Sequence, residues 1–208
     1  MRVSHTELEN LRSDPRRWLA TKTTQQHGFR IGGFKVWGWA VRHYHRTGRE
    51  AAIDYLEETF WRHLKRSIPN ERRLSDFIIH LNVYCDEFES SGHVALEFGR
   101  RINCIVSTSF TVSGEVSRVD LCPDRGFAVY LFKEKSLSWA GQLRMPLIQS
   151  YFAAELTSPL DEVAVGIYNM ELGRHEERRY SSAAVDAARA EAQKLADTIA
   201  RQSESRAT

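Results

Sequence analysis

The spacing of apolar residues divides the chain into a helical first part and a second part with strand periodicity. Up to Gly92, apolar residues recur every three or four positions, as they do along Leu74–Phe88. From His93 the period falls to two residues, which is typical of β-strands and predicts strands over Val94–Phe98 and Ile102–Ser107. A helix over Ser138–Leu156, a buried strand over Val163–Leu172 and a last helix follow. The order of these elements predicts an α/β (α+β) fold in which helices flank a mixed sheet.

The central pattern is a β-hairpin. Its first strand, Val112–Leu121, is rich in β-branched residues and carries Gly114 in its interior. The turn over Pro123–Gly126 combines a proline with a glycine that can adopt a positive φ. The second strand, Phe127–Phe132, is an almost unbroken apolar run, as expected of a strand that is buried on both faces. It ends in a charged residue, Lys133.

Two helix-start signals stand near the N-terminus. Ser4–Glu7 has the spacing of a capping box, in which serine and glutamate side chains bond to each other's backbone N–H groups. Asp14-Pro15 then predicts a second helix, with aspartate as the cap and proline at the first helical position. Arg16 and Arg17 follow in its first turn, where positive charge opposes the helix dipole. An external anion bound there would offset this unfavourable positive charge.

Length and composition indicate one globular domain over residues 1–203, with a disordered tail at 204–208. Its parts are a mainly helical section (1–92), a central sheet with one helix (93–180) and a C-terminal helix (181–203). No apolar run approaches the ~20 residues of a membrane span, and no signal peptide is evident. The three cysteines lack CxxC spacing, so we expect free thiols in a reducing cytoplasm and no zinc or iron–sulphur site.

Charge is nearly balanced overall but unevenly distributed. The chain has 29 basic and 27 acidic residues, a formal net charge of +2, and many of the basic residues crowd into its first half. The predicted helix Lys35–Thr47 carries Arg42, His43 and His45 among aromatic residues, a composition that suits a nucleic-acid face. An ordinary core helix with its aromatic residues turned inward fits the same pattern. Both interpretations stay open.

Four stretches together are similar to a known family. They are the N-terminal segment Ser4–Leu19, the glycine-containing helix Gly38–His43, the strand Gly114–Asp120 and the strand Val129–Lys133. In this order and spacing they resemble the PD-(D/E)XK nuclease superfamily, in particular its RecB-like branch. The resemblance implies a restriction-endonuclease-like mixed β-sheet flanked by helices, with a helical N-terminal section.

The departures from the family pattern concern its chemistry. Such nucleases hold a magnesium-type ion with two carboxylates on adjacent strands, and a lysine orients the attacking water. Here Ser117 and Leu131 occupy the two acid positions, and Lys133 alone is retained. The resemblance therefore implies a vestigial site made of these three residues, with no confident catalytic residue and no metal.

Other family positions are also changed. Arg42 stands where the family's histidine would fall. If Tyr151 anchors the later glutamine–tyrosine motif, Leu147 replaces its glutamine.

The leading hypothesis is a catalytically inactive nuclease-like protein that binds nucleic acid, DNA more than RNA, without a cofactor. By family inference it would work with protein partners in a defence, CRISPR-associated or repair complex. Its expected phosphate contacts are Arg16, Arg17, Arg42, His43, Arg100, Arg101, Arg118, Lys133 and Lys135.

Two alternatives remain. One is an active deoxyribonuclease that uses Mg²⁺ or Mn²⁺ and has relocated its acids, with Glu115 as a ligand beside Glu97 or Glu134. The other is a structural subunit that binds only protein, through exposed aromatic residues such as Trp37, Trp39, Trp61 and Trp139.

Overall fold

The computed structural model describes residues 1–22, 31–123, 126–135 and 138–204. The helices are α1 (Leu8–Ser13), α2 (Pro15–Lys22), α3 (Gly33–Thr47), α4 (Arg49–His63), α5 (Ile68–Ser91), α6 (Arg144–Glu155) and α7 (Ser182–Glu204). The strands are β1 (Arg2–Ser4), β2 (Val94–Ser107), β3 (Phe110–Cys122), β4 (Gly126–Lys133), β5 (Val163–Asn169) and β6 (Arg174–Arg178). Short 3₁₀ turns cover Trp139–Gly141 and Leu160–Glu162. The predicted hairpin residues Asp124 and Arg125, and most of the predicted tail, lie outside the described residues.

The six strands form one mixed sheet around β3. β2 runs antiparallel to β3 along one of its edges. The other edge of β3 is shared by β1, which pairs in parallel with Thr111–Ser113, and β4, which pairs antiparallel with Arg118–Cys122. β4 then pairs in parallel with β5, and β5 antiparallel with β6. The predicted mixed sheet flanked by helices is confirmed.

Between β1 and β4, the strands of the described residues leave a stretch of this edge of β3 unpaired. The gap covers Gly114–Ser117, and we call it the notch. Backbone groups at a sheet edge need other partners when they are removed from water. In the notch, side chains take the place of a neighbouring strand.

Hydrophobic cores cover the sheet on both faces. Val129 and Leu131 of β4 belong to a core that also contains residues of α1, α2, α6 and α7. Phe132 and Tyr168 pack with residues of α3, α4 and α5. Neighbouring strand residues point to opposite faces, so the helices divide into two layers with the sheet between them.

The hydrogen bonds of both N-terminal signals form as predicted, although α1 begins only at Leu8, three residues later than a cap at Ser4 predicts. The Ser4 hydroxyl accepts from the Glu7 backbone N–H at 3.1 Å, and the Glu7 carboxylate accepts from the Ser4 backbone N–H at 3.3 Å. The Asp14 carboxylate caps α2 through the Arg17 backbone N–H at 2.9 Å. These bonds fix the path of the chain from β1 into α1 and α2.

Three elements differ from the sequence prediction. β1 was missed, because three residues are too few to show a strand period. The predicted strands 94–98 and 102–107 are one strand, β2, with Gly99 at a φ of +63°. The predicted helix from Ser138 starts only at Arg144, which places Pro146 in the first turn, where proline is tolerated.

All three cysteines, Cys85, Cys104 and Cys122, are buried free thiols, as predicted. Among the described helices, none has the length and apolar character that crossing a membrane requires.

Candidate anion-binding site

Lys133 ends β4 beside the notch, and its side chain is partly buried. Burial, followed by the charge of Arg144, lowers the pKa of the Lys133 ammonium to about 8. Within the part of the chain that the structure describes, no carboxylate pairs with this ammonium. Among the described residues, Lys133 is therefore a partly buried cation without a counter-charge.

Arg144 is a second cation at the same place. It opens α6, its side chain is 3% exposed, and its backbone N–H donates to Glu9 at 3.2 Å. Its Nε and Nη2 donate to the Gln142 side-chain oxygen at 2.8 and 2.5 Å, and its Nη1 donates to His5 Nδ1 at 3.2 Å. Burial lowers the pKa of Arg144, and Glu9 opposes that shift. The side-chain partners hold the guanidinium in place without neutralising it.

His5 fills the notch. Its backbone N–H donates to the Ser113 carbonyl at 2.7 Å, and its Nε2 lies 3.0 Å from the Glu115 carbonyl. A carbonyl can only accept, so Nε2 carries the hydrogen and Nδ1 is the acceptor for Arg144. Burial, followed by the charge of Arg144, lowers the pKa of His5 to about 4. His5 is a neutral positioning group for Arg144.

Gly114 leaves room for this imidazole. A Cβ atom at position 114 would lie 1.9 Å from His5 Cδ2, far inside van der Waals contact. The interior glycine that the sequence placed in the hairpin strand is therefore required by the ring that packs on it.

The two positions at which the resemblance implies lost acids, Ser117 and Leu131, offer little to a metal ion. The Ser117 hydroxyl accepts the Phe132 backbone N–H at 2.8 Å, which ties β3 to β4 where their ladder ends. Leu131 is 4% exposed and belongs to the core. A hard divalent ion needs several oxygen ligands of suitable charge. With one engaged hydroxyl, one hydrocarbon and two cations nearby, these residues do not fit a magnesium-type ion.

The acids considered as relocated ligands are engaged elsewhere. The Glu115 carboxylate, with 49% of its side chain exposed, accepts from Arg42 at 2.5 Å. Glu97 pairs with Arg100 at 3.2 Å, and Glu134 lies 4.0 Å from Arg73. Among the described residues, no cluster of three His, Cys, Asp or Glu side chains is arranged to hold a metal.

The predicted phosphate contacts are distributed over α2, α3, β2, β3, β4 and the segment after β4. Arg42 pairs with Glu115, Arg100 also pairs with Glu155 at 3.0 Å, and Lys135 pairs with Glu171 at 3.0 Å. The His43 ring stacks on Tyr55, with 4.5 Å between centroids. The exposed members of the set are Arg16, Arg17, Arg100, Arg101 and Lys135.

Arg118 is not a surface contact, and that prediction was wrong. Its side chain is fully buried, and its Nη2 donates to Asp120 at 2.6 Å and to His175 at 2.7 Å. Nη1 donates to the Tyr84 hydroxyl. The guanidinium also lies 4.9 Å from the Tyr130 ring centroid. Arg118 belongs to the core between the sheet and α5.

Leu147, which stands where the resemblance predicts the family's glutamine, does not reach the site. Leu147 is 3% exposed and packs in the core, whereas Arg144, three residues earlier, contacts His5. Sequence reasoning missed Arg144 and Gln142, because no motif marked either residue inside the predicted helix over Ser138–Leu156. It noticed His5 only inside the capping box, since no motif pointed to the imidazole itself.

The aromatic surface expected for a purely structural subunit is largely absent from the described residues. Trp37 and Trp139 are 0% and 6% exposed, so they belong to the cores. Trp39 and Trp61 are partly buried against α3, α4 and α5. Tryptophan is commonly buried in this way.

A scan of protein-family models and a search of curated proteins found no match to this chain.

Proposed function

We propose that this chain is a catalytically inactive nuclease-like protein that binds nucleic acid, DNA in preference to RNA, through phosphate contacts at Lys133 and Arg144. One observation carries the proposal: beside the notch, a buried arginine and a partly buried lysine act on each other electrostatically, and neither side chain pairs with a carboxylate among the residues described.

The physical argument is electrostatic. Removing a cation from water is unfavourable unless an opposite charge or several hydrogen bonds compensate. Phosphate oxygens would supply both, because hydrogen bonds between charged groups are short and strong. The neutral partners Gln142 and His5 hold Arg144 ready for such an oxygen while its charge remains available.

The absence of nuclease activity is part of the same proposal. Its support is the donor set at the acid positions, the engaged Ser117 hydroxyl and the buried Leu131. Glu115, the candidate replacement, is neutralised by Arg42. We extend the resemblance to propose that the protein acts with partners in a nucleoprotein assembly of the defence, CRISPR-associated or repair type.

The test measures binding and cleavage together. Labelled single- and double-stranded DNA and RNA are titrated with wild type, Lys133→Ala and the charge-matched control Lys65→Ala, an exposed lysine between α4 and α5. Fluorescence anisotropy is recorded from about 50 to 200 mM salt, since affinity that depends on phosphate falls steeply over that range. Parallel samples with magnesium, manganese or chelator are run on denaturing gels, with Glu115→Ala included.

We expect salt-sensitive binding of wild type and Lys65→Ala, clearly weaker binding by Lys133→Ala, and no cleavage. Chelator-sensitive cleavage that is lost in Glu115→Ala would establish an active enzyme with relocated ligands. Absence of binding to all four nucleic acids would overturn the proposal and leave a protein partner.

A further inference from the structure

The charge and the burial of Lys133 and Arg144 restrict the kinds of anion that this pair of cations can bind. We infer that the site formed by Lys133 and Arg144 takes the terminal phosphate monoester of a nucleic-acid strand, in preference to a phosphodiester within the strand. This inference rests on the proposed function and names its ligand class.

The first step is the charge balance. Lys133 and Arg144 contribute two positive charges, and His5 contributes none because its Nδ1 is an acceptor. Glu9 acts on Arg144, but its carboxylate is shared between the Arg144 backbone N–H and Arg12, at 3.7 Å. A phosphodiester carries one negative charge, whereas a phosphate monoester carries about −1.5 to −2 at neutral pH. The monoester matches the site more closely.

The second step is the supply of donors. A guanidinium has five N–H groups, and Arg144 uses three of them on Gln142 and His5. One hydrogen remains on each of Nη1 and Nη2, and the Lys133 ammonium adds three more. A terminal phosphate presents three free oxygens, which can accept from both side chains at once. A bridging phosphate offers only two.

The third step is access. Only 3% of the Arg144 side chain is exposed, and Lys133 is partly buried, so the cations lie below the surface. A phosphate inside a continuous strand is flanked by sugars on both sides, which hold it at the surface. A terminal phosphate has a sugar on one side alone, so its free oxygens can approach cations below the surface more closely.

The experiment compares the ends of one DNA sequence. Four fluorescent single strands carry a 5′-phosphate, a 3′-phosphate, hydroxyls at both ends, or no ends because the strand is circular. Each is titrated with wild type, Lys133→Ala, Arg144→Lys and Lys65→Ala, and thermal unfolding confirms that each variant folds. We expect one phosphorylated end to bind about tenfold more tightly than the hydroxyl strand. The preference should be lost in Lys133→Ala, reduced in Arg144→Lys and kept in Lys65→Ala.

The outcomes separate this inference from the proposed function. Equal affinity for circular, hydroxyl and phosphorylated strands, with the Lys133 dependence retained, refutes the terminal preference and leaves phosphate binding intact. A preference that survives in Lys133→Ala places the end-binding site elsewhere and refutes the inference. Binding of none of the four strands removes the proposed function itself.

Discussion

Two buried arginines on opposite sides of the sheet are held in different ways. Arg118 faces α5, where Asp120 neutralises it and aromatic rings surround it. Arg144 lies with α1 and α6, where its guanidinium meets only Gln142 and His5 among the described residues. Burial by itself lowers both pKa values, but Tyr84 and Asp120 outweigh it and raise that of Arg118.

This difference separates a structural cation from one that is available to a ligand. A compensated charge contributes to the native state and has little left to offer an anion. An uncompensated charge makes folding less favourable, and a bound anion can recover that free energy. Burial alone therefore does not distinguish a core arginine from a binding residue, whereas the charge of its partners does.

The largest expected effect is at Arg118, the arginine whose charge Asp120 neutralises. Arg118→Met should lower the free energy of unfolding by about 3–5 kcal/mol, because it removes the arginine that pairs with the buried Asp120 and leaves only His93 beside that carboxylate among the described residues. Urea unfolding measures this loss, with Arg144→Met as the matched comparison. We expect a clearly smaller loss for Arg144→Met, since no carboxylate among the described residues pairs with that guanidinium. Equal losses for the two variants would contradict the comparison.

A smaller effect of opposite sign is expected at Lys133. The pKa of this lysine is about 8 in the folded protein against 10.5 in a free side chain, so folding removes a charged amine from water at neutral pH. Lys133→Met should therefore raise the free energy of unfolding by about 1–2 kcal/mol at pH 7, after allowance for partial exposure.

The pH dependence of that gain follows from linkage. Below pH 8 the lysine is charged in both states, and wild type bears the full burial penalty. Between pH 8 and 10.5 only the unfolded chain holds the proton, so the stability of wild type rises and the advantage of Lys133→Met disappears. Unfolding at pH 7 and pH 10 measures this change. A stability loss at pH 7 would mean that Lys133 has an unrecognised anionic partner.

The smallest effect is expected at the surface pair of Glu115 and Arg42. Both side chains are partly exposed, and exposed ion pairs contribute about 0–1 kcal/mol. Glu115→Gln should change the free energy of unfolding by less than about 1 kcal/mol, as measured by urea unfolding. Its affinity for phosphorylated DNA should equal or slightly exceed that of wild type, because the variant removes a negative charge. A clear loss of binding would make Glu115 part of the site.

Sequence alone determined much of the framework. Apolar periodicity indicated the helices α3, α5, α6 and α7, and the Asp14-Pro15 signal placed the start of α2, because caps and amphipathic faces depend on near neighbours. The capping box formed its hydrogen bonds, but α1 begins three residues later than that box predicts. The hairpin around β3 and β4 followed from β-branched residues and turn chemistry. The resemblance to the nuclease family stays a prediction, and so does the assignment of Ser117 and Leu131 to its two acid positions.

Tertiary structure decided the site. His5 and Arg144 are 139 positions apart, and they meet because β1 and β4 share one edge of β3 and leave the notch between them. No local pattern encodes that meeting. The burial of Arg118 also depends on residues that are distant in sequence. Asp120 points to the same face of β3, but Tyr84 and His175 come from α5 and β6. Packing between segments that are distant in sequence decides which charged side chains find a partner. Local patterns along the chain do not reveal that packing.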